Sequence, residues 1–124
     1  MGRRAARDRD AALTPHWAEQ LARGALEARG WATLAVNARV PGGEIDLVMN
    51  DGNAVVFVEV RQRSRSEHGS AADSLDALKQ ARVRRAAALW LARHGDVESA
   101  VRFDAVLVDG DRTAPRLRLV RGAF

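Results

Sequence analysis

The chain has 124 residues, of which 47% are hydrophobic and 29% charged, a composition typical of one globular domain rather than of a disordered chain. It contains no cysteine, which excludes disulfides and thiolate metal sites, and its apolar runs are too short to span a bilayer. The net charge is +4, and residues 61–93 alone hold eight basic side chains against three acidic ones. This block predicts a polyanionic partner, nucleic acid first, although an ordinary solvated surface would also explain it.

The N-terminal residues 1–13 are basic and lack hydrophobic periodicity, so we expect a flexible arm before a single domain over residues 14–124. Because the arm has no apolar core, it does not resemble a secretory signal, and a cytoplasmic protein without a membrane segment is expected. The domain begins with a predicted helix over residues 14–29. Thr14-Pro15 is typical of a helix start, and Gly30 is typical of a helix end.

Two stripes of side chains follow helical spacing in this first helix. The second stripe joins Glu19 to Ala22 and Leu26, so the glutamate is either a half-buried functional group or an edge residue. The first stripe is apolar and is expected to be buried, and it consists of Trp17, Leu21, Ala25 and Ala28.

Three strands are expected next, over residues 33–39, 44–49 and 54–61. A Pro-Gly-Gly turn separates the first two, and the last two form a hairpin around Asp51-Gly52. A turn that is symmetrical about Asp51-Gly52 would place Asp46 opposite Phe57 and Glu44 opposite Glu59.

This register gives the hairpin two different faces, because side chains alternate along each strand. One face is wholly apolar and is expected to be the core; in the second strand it holds Ile45, Leu47 and Met49. The other face is expected to carry the charged residues Glu44, Asp46, Glu59 and Arg61.

Carboxylates gathered on one face need a compensating cation, because like charges opposite each other destabilise a sheet. Oxygen ligands in a protein without cysteine favour a hard ion, Mg²⁺ or Mn²⁺. The alternative is a surface ion-pair network made by Arg61 and neighbouring arginines.

A polar loop over residues 63–74 precedes a second helix, which is expected from Ser74 to about His94, with Gly95 ending it. Lys79 and Arg82 fall within its core-facing arc, so they should face a phosphate or the carboxylates, unless they extend from the helix end to solvent. The apolar members of that arc are Leu75, Leu78, Ala86, Leu89 and Trp90.

Two closing strands, over residues 101–109 and 116–120, complete the order αβββαββ. This order predicts an α/β fold in which helices pack on a mixed sheet.

The segments GGEIDLV, DG, VFVEVRQRS, SLDALKQARVRRAA and RFDAVLV, in this order, resemble the YraN-like family of small bacterial proteins. The resemblance runs from about Glu19 to the final strands. That family looks like a branch of the PD-(D/E)xK nuclease superfamily, near the archaeal Holliday-junction resolvases. The resemblance therefore implies the restriction-endonuclease-like α/β core.

The resemblance also implies roles for individual residues. Asp46 matches the motif aspartate and Glu59 matches the acidic residue of the (D/E)xK element, and both would bind Mg²⁺ or Mn²⁺. Glu19 matches the first-helix glutamate that is often an additional ligand or a water-orienting group. Glu44, from the acidic face of the hairpin, is a further candidate ligand. Arg61 stands where the superfamily has lysine; arginine can stabilise charge but cannot act as a base.

From these residues we expect a nuclease-like protein that hydrolyses phosphodiester bonds in DNA, branched DNA included, with Mg²⁺ or Mn²⁺ as cofactor. Two alternatives stay open. The arginine at position 61 favours a non-catalytic nucleic-acid-binding module on the same fold, and the third possibility is a protein-interaction domain with a structural acidic cluster. Resolvase-like relatives work as dimers, which implies a homodimer. Contacts to DNA phosphates are expected from Lys79, Arg82, Arg63 and Arg65.

Overall fold

The computed structural model of the protein describes residues 16–64, 76–94 and 99–124. The predictions for the arm at 1–13, and those for Thr14, Pro15, Arg65, Ser74, Leu75 and Gly95, lie outside these residues. Within them the predicted order αβββαββ is confirmed. The elements are α1 (His16–Ala28), β1 (Ala32–Val40), β2 (Gly43–Asn50), β3 (Val55–Arg63), α2 (Ala77–His94), β4 (Val101–Asp109) and β5 (Arg116–Val120).

The five strands form one mixed sheet in the order β1-β2-β3-β4-β5. Neighbouring strands are antiparallel except β3 and β4, which are parallel. Parallel neighbours need a long crossover, and α2 belongs to the chain segment that supplies it. A five-stranded mixed sheet with two helices is consistent with the restriction-endonuclease-like fold that was predicted. No helix among the described residues is both long and apolar enough to cross a membrane.

One helix packs on each face of the sheet. On one face, residues of α1 form a core with Leu47, Met49, Val56, Val58 and Val60. On the other face, α2 places Ala86, Ala87 and Trp90 against Val48, Val55 and Phe57. The rings of Phe57 and Trp90 meet edge to face, with centroids 5.9 Å apart. As a result, β3 is buried from Val55 to Gln62.

The buried stripe of α1 differs from the predicted one. Ala18, Ala22 and Leu26 are at most 1% exposed, whereas Leu21 is 36% exposed and Trp17 is only partly buried. Ala18 and Ala22 let the helix backbone lie close to the sheet, and Trp17 and Leu21 are left at the margin of the contact. The stripe that was predicted to be buried is therefore wrong, and the stripe that includes Glu19 faces the core.

The end of α1 agrees with the prediction. Gly30 has a φ of 92°, the left-handed conformation that glycine adopts without strain. The N–H of Gly30 donates to the carbonyl of Glu27 at 2.9 Å, and the N–H of Trp31 donates to that of Leu26 at 3.2 Å. These two bonds form the Schellman arrangement that closes many helices.

The hairpin does not have one apolar and one polar face. Ile45 joins Val48 and Phe57 under α2, whereas Leu47 and Met49 pack on the α1 side. Leu47 and Met49 therefore share the predicted apolar face with Val56 and Val58 of β3, and only the placement of Ile45 on that face is wrong. A central strand with a parallel neighbour is covered on both sides, so apolar residues are needed on both. The carboxylates lie at the end of an apolar face instead of along a polar one.

Candidate active site

The turn between β2 and β3 determines which residues meet at the site. It spans residues 51–54, and Asp51 Oδ1 accepts the backbone N–H groups of Asn53 and Ala54 at 2.8 Å each. Because the turn has four residues, Val48 pairs with Phe57, where Asp46 was predicted. The predicted register is wrong by two residues. A shift of two preserves the alternation of faces and moves Asp46 towards Glu59.

Asp46 and Glu59 are in direct contact at the point where β2 and β3 stop pairing. The paired residues end at Leu47 and Val58. Beyond them, Asp46 Oδ2 accepts the backbone N–H of Val60 at 2.9 Å, and the carboxyl groups of Asp46 and Glu59 share a hydrogen bond. Glu59 is 4% exposed and Asp46 is half-buried. Two acids that were predicted to be diagonal neighbours are thus brought together.

Burial raises the pKa of both carboxyl groups. The pKa of Glu59 lies well above its ordinary value of 4.5, through burial first and the charge of Asp46 second. Burial also raises the pKa of Asp46, against the opposing effects of the Val60 N–H and of Arg61. Two carboxylates in contact repel each other when both are ionised, so a nearby positive charge stabilises the pair.

Arg61 is the buried counter-charge of this pair. It is 5% exposed, and its Nη2 donates to Glu59 Oε2 at 2.9 Å. The alternative considered from the sequence was a surface network of arginines, but this ion pair lies in the interior. The positive charge of Arg61 therefore offsets one of the two carboxylate charges.

Of the two predicted cations on α2, Lys79 lies near the carboxyl pair. Its positive charge lowers the pKa of Glu59, against the larger effect of burial. Lys79 is half-buried and continues the buried stripe of α2, which contains Val83, Ala86 and Trp90. Arg82 is exposed, and Leu78, predicted to be core, is 63% exposed. The helix therefore presents Lys79 to the site and Arg82 to solvent.

Glu44 and Glu19 do not complete a group of three carboxylates. Glu44 Oε2 lies 3.4 Å from Arg39 Nε, although its charge also raises the pKa of Asp46. The side chain of Glu19 is 12% exposed and lies 3.8 Å from His16 Nδ1. In the part of the chain that the structure describes, no three acidic or histidine side chains could together hold a metal ion.

The site is therefore a pair of carboxylates, Asp46 and Glu59, and this donor set fits Mg²⁺ or Mn²⁺. Mg²⁺ is commonly held by one or two carboxylates together with several waters and the phosphates of a substrate. A complete cage of protein ligands is not needed for such an ion.

A second ionic cluster, which the sequence analysis did not single out, joins the β2–β3 turn to β4. Asp104 is fully buried and accepts hydrogen bonds of 2.9 Å from Arg102 Nε, from Arg102 Nη2 and from the N–H of Gly122. Arg102 Nη1 donates to Asp51 Oδ2 at 2.6 Å, and the N–H of Asn53 together with Arg102 lowers the pKa of Asp51 to about 2. Asp104 lies inside the apolar strand VRFDAVLVD, and this position could have indicated the cluster from the sequence, because buried carboxylates are almost always paired.

Comparison with known proteins connects this architecture to a family. Residues 18–108 match the model of the family described as Uncharacterised protein family UPF0102. A UPF0102 protein of Frankia casuarinae is 47% identical over 107 residues, which cover 86% of this chain and 91% of that protein. A UPF0102 protein of Halorhodospira halophila is 49% identical over 107 residues, covering 86% and 83%. One of Klebsiella pneumoniae is 47% identical over 95 residues, covering 75% and 74%. The resemblance noted from the sequence is confirmed, and the chain belongs to the UPF0102 family, which is the YraN family.

Proposed function

We propose that the protein is a metal-dependent phosphodiesterase that acts on nucleic acid, DNA first, with Mg²⁺ or Mn²⁺ held by Asp46 and Glu59. The observation that carries this proposal is the contact between these two carboxyl groups in a buried place that raises the pKa of both. Apolar residues of similar volume would stabilise the fold as well or better. A buried acidic pair with perturbed pKa values is therefore better explained by a functional role.

Each residue of the site has a definite task in phosphodiester hydrolysis. The reaction adds water to phosphorus, breaks one P–O ester bond and delivers a proton to the departing oxygen. The ion would supply an activated water and neutralise negative charge that develops on the phosphate. Asp46 is oriented for ion binding by the Val60 N–H, and Glu59 is oriented by Arg61.

Lys79 is the candidate for the ammonium that the superfamily places at position 61. Arg61 is engaged by Glu59 in the interior, and a guanidinium does not give up its proton. Lys79 has a flexible side chain beside Glu59, and an ammonium can bind a phosphate oxygen or orient the attacking water. It is the only lysine in the chain.

The test combines a binding measurement with a cleavage measurement. Mn²⁺ binding is followed by calorimetry, and cleavage is followed on a labelled four-way DNA junction, a duplex and a single strand. We expect wild-type protein to bind Mn²⁺ and to cleave, and Asp46→Asn to lose both. Asp111→Asn removes an equal charge from an exposed acid in the β4–β5 connection and should behave as wild type. Unchanged metal binding and cleavage in Asp46→Asn would contradict the proposal.

A second candidate function is a non-catalytic nucleic-acid-binding module, and the observation that favours it is the buried Arg61–Glu59 ion pair. Two variants separate the candidates. If the protein is a nuclease, Lys79→Gln should keep Mn²⁺ binding but lose cleavage. If wild-type protein binds DNA without cleaving it, the binding module is supported; cleavage that appears in Arg61→Lys would then show that only the chemistry is attenuated.

A further inference from the structure

Arginines on the edge strand β5 lie in register with the candidate active site. Residues that pair across neighbouring strands point to the same face of a sheet. The pairing of β3 with β4 and of β4 with β5 aligns Arg61 with Leu107 and Arg118. The same strand pairing aligns Arg63 with Asp109 and Arg116, which form the adjacent row of side chains on this face. We call Arg116 and Arg118 the β5 arginines.

The packing of neighbouring side chains shows which face the β5 arginines occupy. Phe57, two residues before Glu59 on β3, packs under α2, so the odd-numbered residues of β3 belong to the α2 side. On that side of β4 and β5, Ala105 and Leu107 form a buried group with Val120 and Ala123. Leu117 and Leu119 pack on the α1 side instead. The β5 arginines alternate with these two leucines and therefore project on the α2 side, the same side as Glu59.

The described part of α2 leaves the β5 arginines uncovered. This helix packs on β1, β2 and β3. Arg116 and Arg118 are both exposed, and neither forms an ion pair with another residue in the ranges that the structure describes. Asp109 pairs with Arg63 on one side and with Arg116 on the other, so this row of three side chains keeps one surplus positive charge. Arg118 pairs with the uncharged Leu107.

The dimensions of the sheet suit a nucleic-acid backbone. Strands are spaced by about 4.8 Å, so Arg118 lies about 10 Å from Arg61 at the backbone, two strands away. Along β5, Arg116 and Arg118 are about 7 Å apart, a separation similar to that between successive phosphates of one nucleic-acid strand. Guanidinium groups bind phosphate through paired hydrogen bonds as well as by charge.

We propose that the β5 arginines bind backbone phosphates that flank the phosphodiester held at Asp46 and Glu59, so that the substrate strand crosses the sheet from β3 to β5. This proposal rests on the proposed function for its substrate class. Arginine on an edge strand has another recognised role, which is to discourage pairing with the edge of a second molecule. If the β5 arginines only prevent pairing with a second molecule, their replacement should not affect DNA binding. Measurement of DNA binding therefore separates the two roles.

The experiment measures how DNA affinity depends on salt. A fluorescent four-way junction and a duplex are titrated with protein in EDTA, so that no cleavage occurs, at several NaCl concentrations. The test variant is Arg116→Gln/Arg118→Gln. The control variant is Arg23→Gln/Arg29→Gln, which removes the same formal charge from exposed arginines of α1 and of the turn that follows it. Circular dichroism and melting temperature establish that both are folded.

We expect the test variant to bind several-fold more weakly and its salt slope to fall by roughly 2, because each phosphate contact contributes about 0.9 on duplex DNA. Arg116→Lys/Arg118→Lys keeps the charges and should retain most of the affinity. An equal effect of the test and control variants would overturn the proposal, as would self-association of the test variant with unchanged DNA binding. Failure of wild-type protein to bind either DNA would overturn it too.

Failure of the proposal for the β5 arginines can be distinguished from failure of the proposed nuclease function. Loss of Mn²⁺-dependent cleavage in Asp46→Asn, with no effect of Arg116→Gln/Arg118→Gln on the salt slope, refutes the role of the β5 arginines and leaves the nuclease intact. A reduced slope in a protein that never cleaves supports the phosphate-binding surface and refutes hydrolysis.

Discussion

Replacing Glu59 by glutamine should stabilise the metal-free protein at neutral pH. When both acids of the site are ionised, Asp46, Glu59 and Arg61 carry one net negative charge in the interior, and a proton on Glu59 removes it. Glutamine has the shape of a protonated glutamate. Its amide can donate to Asp46 while its oxygen accepts from Arg61, so the variant keeps both contacts without the extra charge.

The direction and size of the effect follow from the raised pKa of Glu59. In the unfolded chain this group titrates near its ordinary value of 4.5, and in the folded protein at a higher pH. Between these two pH values the folded state binds more protons, so the free energy of unfolding of wild-type protein falls as pH rises, by up to about 1.4 kcal/mol per pH unit. The loss begins near pH 4.5 and is complete above the folded pKa. For a domain of this size it amounts to roughly 5 °C in melting temperature per pH unit.

Thermal melts in EDTA between pH 4 and pH 8 provide the assay. The melting temperatures of wild type and Glu59→Gln should be similar at pH 4, and the variant should be the more stable at pH 8. Saturating Mn²⁺ should reverse the order, because a ligand at a hundred times its Kd adds about 2.7 kcal/mol to the protein that binds it. Glu27→Gln is the control: the pKa of Glu27 is lowered by Thr33 and Arg23, so its loss should not stabilise at neutral pH. Parallel pH curves for wild type and Glu59→Gln would refute the reasoning.

Three further predictions concern stability away from the site. Asp104→Asn should lower the free energy of unfolding in urea by about 3 kcal/mol, because it removes the buried carboxylate that Arg102 contacts with two nitrogens, and Asp111→Asn serves as its exposed control. Gly110→Ala should lower it by more than about 1 kcal/mol, since Gly110 has a φ of 100° and an added Cβ would lie 2.8 Å from the carbonyl oxygen of Ala114. Gly24→Ala, in open space on α1, should instead raise it by about 0.5–1 kcal/mol.

The parts of the fold that local chemistry determines could be predicted from the sequence. The bounds of β4 and β5 agree with the structure because apolar periodicity and the turn residues between the strands coincide. The end of α1 agrees because only glycine suits the conformation at position 30. The register of the hairpin could not be predicted from the sequence, because it depends on whether Asp51 closes a turn of two residues or of four. That choice is made by hydrogen bonds to the backbone of Asn53 and Ala54, which no apolar pattern reveals.

The candidate site also combines features that the sequence could predict with features that it could not. Asp46 and Glu59 were identifiable because acids within an apolar strand need an explanation, and the pairing of Glu59 with Arg61 follows from alternation along one strand. Their contact with each other required the true register. The β5 arginines were not identifiable, because their alignment with β3 passes through β4, and strand pairing between distant segments is set by the assembled sheet.

An arginine at position 61, where the resemblance to the nuclease superfamily implies lysine, is consistent with a division of two tasks within the proposed site. A buried lysine would lose its proton more readily, because burial disfavours the charged form, and Glu59 would then lack a fixed counter-charge. The guanidinium of Arg61 holds Glu59 at 2.9 Å and supplies that counter-charge. A lysine that must bind substrate is better placed on α2, where Lys79 is half-buried and adjoins the pair without being enclosed by it. On this argument the arginine supports the acidic pair, and the proposed hydrolysis would depend on Lys79.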